Sequence, residues 1–166
     1  MLGILFTIII VFFFTNLFGY VVHWSLHQPW AGFVNTAHMA HHLKMYPSTD
    51  FFSDVYRRAG KDSSVQFFAV AAIPMIVIPI LLGIFGILSF HLVLISLIIE
   101  LLLGFLHNYL HDAFHIRKHL LTNLPIIKNL FNRWMKLHYI HHIRMNTNFG
   151  IFTYHWDRIF KTFSSN

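Results

Sequence analysis

The sequence predicts an all-α fold of integral-membrane type, with about three transmembrane helices and a helical cap on one membrane face. Three observations predict it. Apolar residues fill 56% of the 166 positions and charged residues only 11%, a balance foreign to soluble domains. Long uncharged stretches reach the ~20 residues that cross a bilayer core. All twelve Lys and Arg fall in two segments, Lys44 to Lys61 and Arg117 to Lys161.

The first span is expected at about residues 2–22, which carry no charge. A cleaved signal peptide needs a basic start, a shorter apolar stretch and a small-residue cleavage site. Met1 is followed directly by apolar residues, so a retained helix is expected. The second span, about 67–88, contains Pro74 and Pro79, which predict a kink. Gly83, Gly86 and Ser89 predict a tight hairpin into the third span, about 90–110. Segments 23–65 and 111–166 carry the Lys and Arg and are expected in the cytoplasm by the positive-inside rule. The net charge of +6 is therefore read as a face beside anionic lipid, with no nucleic-acid partner. From Pro125 to Met145, Ile127, Leu130, Phe131, Trp134, His138, His141 and Met145 share one stripe, predicting an amphipathic helix. The 166 residues are expected to form a single membrane domain.

Cysteine is absent, which excludes disulfides, iron–sulfur clusters and thiolate metal sites. Histidine is in excess, with fourteen copies. Eleven form clusters spaced by three or four residues: His23 and His27; His38, His41 and His42; His107, His111 and His115; His138, His141 and His142. On a helix such spacings share a face, and two imidazoles there can chelate one metal. The predicted topology brings all four clusters to one membrane side. Eleven histidines exceed the four ligands of a single tetrahedral ion, so two adjacent metals are expected. Imidazole nitrogen suits Fe, Zn, Cu and Ni, which leaves di-iron and di-zinc centres open. Chance clustering or a buffering tract would not repeat the spacing within apolar pattern.

His91 lies sixteen residues before His107, about 24 Å along a helix, and is expected not to be a ligand. His119 is expected at the surface. Glu100 sits two turns deeper than His107 on the same face, and an intramembrane carboxylate is a functional candidate by default. Its competing role is a hydrogen bond between helices. Asp112, beside His111, can orient an imidazole. Asp54 and Asp62 read as loop residues, and Trp24, Trp30 and Phe33 as interfacial anchors or a lipid entrance. HExxH, GxSxG, P-loop and GxGxxG motifs are all absent.

The series HWSLH, HMAHH, HNYLH and HYIHH resembles the fatty acid hydroxylase/sterol desaturase superfamily. NTNFGIFTYHWDRIFKT, residues 146–162, is similar to its N-[YF]-G and WDR-[IL]-FGT ending, and HDAFHIRKHLLTNLP and YPSTD match further stretches. The resemblance covers most of residues 23–162 in motif order. It implies ligands His23, His27, His38, His41, His42, His107, His111, His138, His141 and His142. A similar carotenoid-hydroxylase scheme pairs His111 with His115 instead of His107. Behind the ligands stand Asp112, Glu100 and Asn148 as candidate second-layer groups. Lys161 replaces the family's usual glycine at the closing turn.

The resemblance implies two metal ions, iron before zinc, with O2 as co-substrate and a lipid C–H bond hydroxylated or desaturated. The expected partners are the bilayer, a fatty acyl, sterol or carotenoid-type lipid, and a separate electron donor (cytochrome b5-like or ferredoxin-like). The expected location is a bacterial inner membrane or the endoplasmic reticulum, active site inward. Two rivals are a non-catalytic metal-binding or transport protein and a bis-histidine cytochrome.

Overall fold

The computed structural model describes residues 2–57 and 63–166, with side chains of 63–72 not described. It is helical throughout, and the described residues hold no strand beyond one isolated bridge between Ser53 and Ile116. Asp62 and Lys61 lie outside the described residues.

Helix α1, Leu2–Leu26, is the first long apolar segment. Helix α2, Phe33–Ala40, runs directly into a π-helical turn, His41–Met45. Helix α3, Ser63–Ile84, holds both prolines inside it. Gly86 takes φ +70° in the connecting turn, and Ser89 in extended conformation starts helix α4, Phe90–Ala113. Helix α5, Lys128–Ile143, and the short α6, His155–Ile159, complete the cap. α1 packs on α4, and α4 on α3.

Two helices, α1 and α4, are long and apolar enough to cross a membrane. Only 11% and 17% of their apolar windows are buried, so they are not the core helices of a soluble fold. Side chains such as Phe6, Ile10, Leu102 and Phe105 point outward. In water this surface would be costly; in lipid it is the solvated face. Within α3, the stretch Ile73–Ile84 is a shorter apolar helix.

The predicted amphipathic helix is three residues late at its start and two early at its end, because Leu124 to Ile127 form a turn first. Its buried face also differs. Leu130 is exposed, whereas Leu137, Ile140 and His142 are buried beside Phe131, His138 and His141. The core under the cap joins Leu110, Ala113 and Phe114 of α4's end to Phe131 and Ile151. Burying a side chain such as Phe131 contributes roughly 1.5–3 kcal/mol.

The C-terminal segment is bolted to α1. Trp156 Nε1 donates to the Phe13 carbonyl at 3.2 Å, Thr153 Oγ1 donates to Asn16 Oδ1 at 2.6 Å, and Tyr20 meets Thr162 through their hydroxyls at 3.2 Å. α6 closes with Thr162 N donating to the Asp157 carbonyl and Lys161 N to that of Arg158. That pattern needs a left-handed residue between them, and Lys161 supplies it at φ +61°. Glycine takes this conformation without a Cβ penalty, so Lys161→Gly is expected to stabilise the fold by about 1 kcal/mol. Thermal unfolding in detergent measures this; an unchanged or lower midpoint would contradict the strain argument.

Candidate metal centre

Nine of the eleven clustered histidines converge as two groups. His23, His27, His38, His42 and His141 form one, and His41, His115, His138 and His142 the other. Within each group the ring nitrogens lie within 4.8 Å of one another. The groups abut: the His42 and His142 rings stack at 4.0 Å between centroids.

The two HxxHH motifs do not keep their histidines on one face, as their spacing had suggested. Each is split between the groups. His38 and His42 turn to the five-histidine group while His41 turns to the other. In α5 the assignment is reversed: His138 and His142 belong to the four-histidine group and His141 to the five-histidine one. Positions i and i+4 point one way and i+3 lies about 60° apart from i+4's partner, so a helix between two sites serves both. The π turn at His41–Met45 carries His41 and His42 through this change of direction.

Four rings are fixed by main-chain carbonyls. Nδ1 of His23 pairs with the Phe149 carbonyl at 2.7 Å and that of His141 with Thr147 at 2.6 Å. Nδ1 of His142 pairs with Tyr46 at 2.8 Å and that of His115 with Phe51 at 3.1 Å. A carbonyl only accepts, so each Nδ1 carries the proton and each Nε2 keeps its lone pair. The Nε2 atoms of His23, His41 and His142 are buried with no hydrogen-bond partner among the described residues. Others face one another: His27 and His38 at 2.9 Å, His38 and His42 at 3.2 Å, His27 and His141 at 3.2 Å, His115 and His138 at 3.2 Å. Such spacings suit nitrogens sharing one ion at about 2.1 Å. His42 and His138 differ, because their Nδ1 atoms are buried without a partner.

Burial keeps the cap histidines neutral. It pushes His27 down to about 4 and His142 down to about 3. His38, His41, His42, His115, His138 and His141 are held well below their ordinary range, by burial first and by neighbouring imidazoles second. Neutral imidazole is the form that binds metal. The donor set thus fits two adjacent ions.

The supporting loops explain the polar ending. Asp157, fully buried, accepts from Phe149 N at 2.7 Å, Gly150 N at 2.9 Å and Thr162 Oγ1 at 2.9 Å. Asn148 takes φ +53° and donates to the carbonyls of Leu137 and Ser164. Together they set the two carbonyls, at positions 147 and 149, that orient His141 and His23. Asn148 therefore acts through the backbone and not by touching an imidazole. On the other side, Ser53 N donates to the His115 carbonyl at 2.8 Å, which holds Phe51 over that ring. Tyr46 is fully buried, stacks on His115 at 3.9 Å, and its hydroxyl accepts from Arg57 N.

Two expected ligands fall outside both groups. His107 faces Gly19 and lies 6.4 Å from the Phe152 ring, below the groups in the span. His111 is at the border: its ring is 4.7 Å from His41 and 4.8 Å from His138, and its Nδ1 is 3.5 Å from Asp112 Oδ1. His115 is inside because α4 ends at Ala113 and the next turn swings it inward. His91 is exposed and belongs to neither group. His119 is not a free surface residue: it accepts from Leu121 N and stacks on Phe131 at 5.5 Å. Glu100 lines a cleft well below the groups, and Asp54 is exposed, 4.0 Å from Arg117. Trp24, Trp30 and Phe33 are exposed. The four carbonyl partners escaped sequence reasoning because main-chain acceptors leave no residue signature.

A protein-family model described as fatty acid hydroxylase matches residues 8–162. No curated protein and no solved structure matches the chain.

Proposed function

The chain belongs to the fatty acid hydroxylase family, and on that premise we propose that it is an O2-dependent di-metal oxidoreductase that hydroxylates or desaturates a lipid C–H bond. One observation carries the reading. Two abutting histidine groups are built from both HxxHH motifs, and four of the nine rings have Nδ1 pinned to a carbonyl with Nε2 turned inward.

The five-histidine group would hold one ion and the four-histidine group the other. When bound, a pair of redox-active metals, iron by this reading, supplies the activation of O2 and the electron transfer that an unactivated C–H bond requires. The chain's own residues bind, orient and exclude water. Neutral imidazoles need no deprotonation before loading. The carbonyls of Phe149, Thr147, Tyr46 and Phe51 fix which nitrogen of each ring faces the metal. His41, His115, His138 and His141 are buried, so bulk water is kept from the centre. His27 is half-buried and lines an opening with Trp24, Met39 and Met145, the flank on which an external electron donor would approach. The segregated Lys and Arg support placement of this cap in the cytoplasm.

The test is metal content of detergent-purified protein, followed by a lipid-product screen under labelled O2. About two irons per chain and labelled alcohol, or alkene with labelled water, are expected. Bound metal with no product from fatty acyl, sterol or carotenoid lipids, given a reductant, would leave a metal-binding protein and overturn the oxygenase reading.

A further inference from the structure

Glu100 has no role in the metal centre. It sits in α4 eleven residues before His111, about 16 Å along the axis. It is buried, at 7% exposure, and its Oε2 has no hydrogen-bond partner among the described residues. Gly83 packs on Val93 across the hairpin, so antiparallel α3 passes Glu100 near Ile76, within its described part.

A carboxyl group at this depth without a partner is costly. It lines a narrow cleft of about 90 Å³ between α1, α3 and α4, with Thr15, Gly19, Leu97, His107 and Phe152. His107 and Phe152, with ring centroids 6.4 Å apart, line its end nearer His111, one helical turn on from His107. α1 and α4 run parallel: Gly19 faces His107, and the His23 ring lies 6.3 Å from that of His111, at the same sequence offset. By that offset Thr15 lies about one turn from Glu100. Thr15 Oγ1 is also buried without a partner.

We propose that this cleft seats the lipid substrate and that Glu100, with Thr15, receives a hydroxyl group carried by that lipid on the part remote from the reacting carbon. The inference rests on the oxygenase reading for what happens at the other end. The chemistry selects the ligand class. No Lys or Arg lines the cleft, so a carboxylate headgroup would meet Glu100 with nothing to neutralise it. A carboxyl group accepts in either protonation state, and a threonine hydroxyl both donates and accepts. A neutral hydroxyl satisfies both atoms, and the apolar walls hold the hydrocarbon between that anchor and His107. His107 is thereby a wall of the substrate site, which gives a role to a half-buried histidine outside both groups.

A sterol and a hydroxylated alkyl chain both offer this hydroxyl, and retention distinguishes them. Detergent-purified wild type, Glu100→Gln and Glu100→Leu are incubated with equimolar octadecanol and octadecane, and separately with cholesterol and cholestane. Lipid retained per chain is quantified after size exclusion against protein-free micelles, and metal content is read on the same samples. Wild type is expected to retain the alcohol of at least one pair about tenfold over its hydrocarbon. The pair that discriminates names the source. Glu100→Leu should lose the preference with metal content unchanged, and Glu100→Gln should keep part of it through its amide oxygen. Equal retention of alcohol and hydrocarbon by wild type, or an undiminished preference in Glu100→Leu, would overturn the proposal. So would octadecylamine retained above octadecanol. Because the readout is binding, a metal-free wild type would refute the oxygenase reading without deciding the hydroxyl preference.

Discussion

Replacing His142 with alanine is expected to cut bound metal from about two ions per chain to about one and to reduce turnover at least a hundredfold. The four-histidine group would be left with His41, His115 and His138, all buried. The five-histidine group keeps every member. Its capacity falls less, although His42 loses the ring stacked on it at 4.0 Å. His107→Ala is the contrast: it should keep both ions, since His107 belongs to neither group. Elemental analysis with a product assay reads both effects. Loss of metal in His107→Ala equal to that in His142→Ala would mean that the grouping is wrong.

Gly150→Ala should be the most damaging small substitution. A Cβ there would lie 2.1 Å from the Thr153 carbonyl oxygen and 2.9 Å from Asp157 Oδ2. The first of these is backbone and cannot step aside without moving the turn. Overpacking of this kind costs about 3 kcal/mol. The displaced turn also carries the Phe149 carbonyl that holds His23. Gly150→Ala is therefore expected to lower both the unfolding temperature and metal retention of the detergent-purified protein. A variant as stable as wild type would show that the turn has more room than its geometry implies.

The helices, the hairpin at Gly86 and the meeting of the histidine clusters on one side were legible from hydropathy and spacing. The partition of the histidines was not. Equal i, i+4 steps link His107, His111 and His115, and only the end of α4 at Ala113 decides that His115 turns in while His107 stays in the span. In the same way, HxxHH reads as one face until two sites flank the helix. The ending NTNFG was recognisable as a motif, but its work lies in carbonyl directions at Thr147 and Phe149, which side-chain chemistry does not encode. Glu100 was visible as an intramembrane carboxylate; its unfilled oxygen and the cleft around it required the packing of three helices.

Four imidazoles rest on peptide oxygens, at positions 46, 51, 147 and 149. A peptide oxygen survives any point substitution that leaves the chain path intact. Drift in residue identity at these positions is therefore buffered as far as imidazole aim is concerned. Length is not buffered: one residue inserted or deleted between Arg144 and Phe149, or between Tyr46 and Phe51, would rotate the acceptors away. Lineages descended from this chain should vary in the letters of these loops and hold their lengths constant.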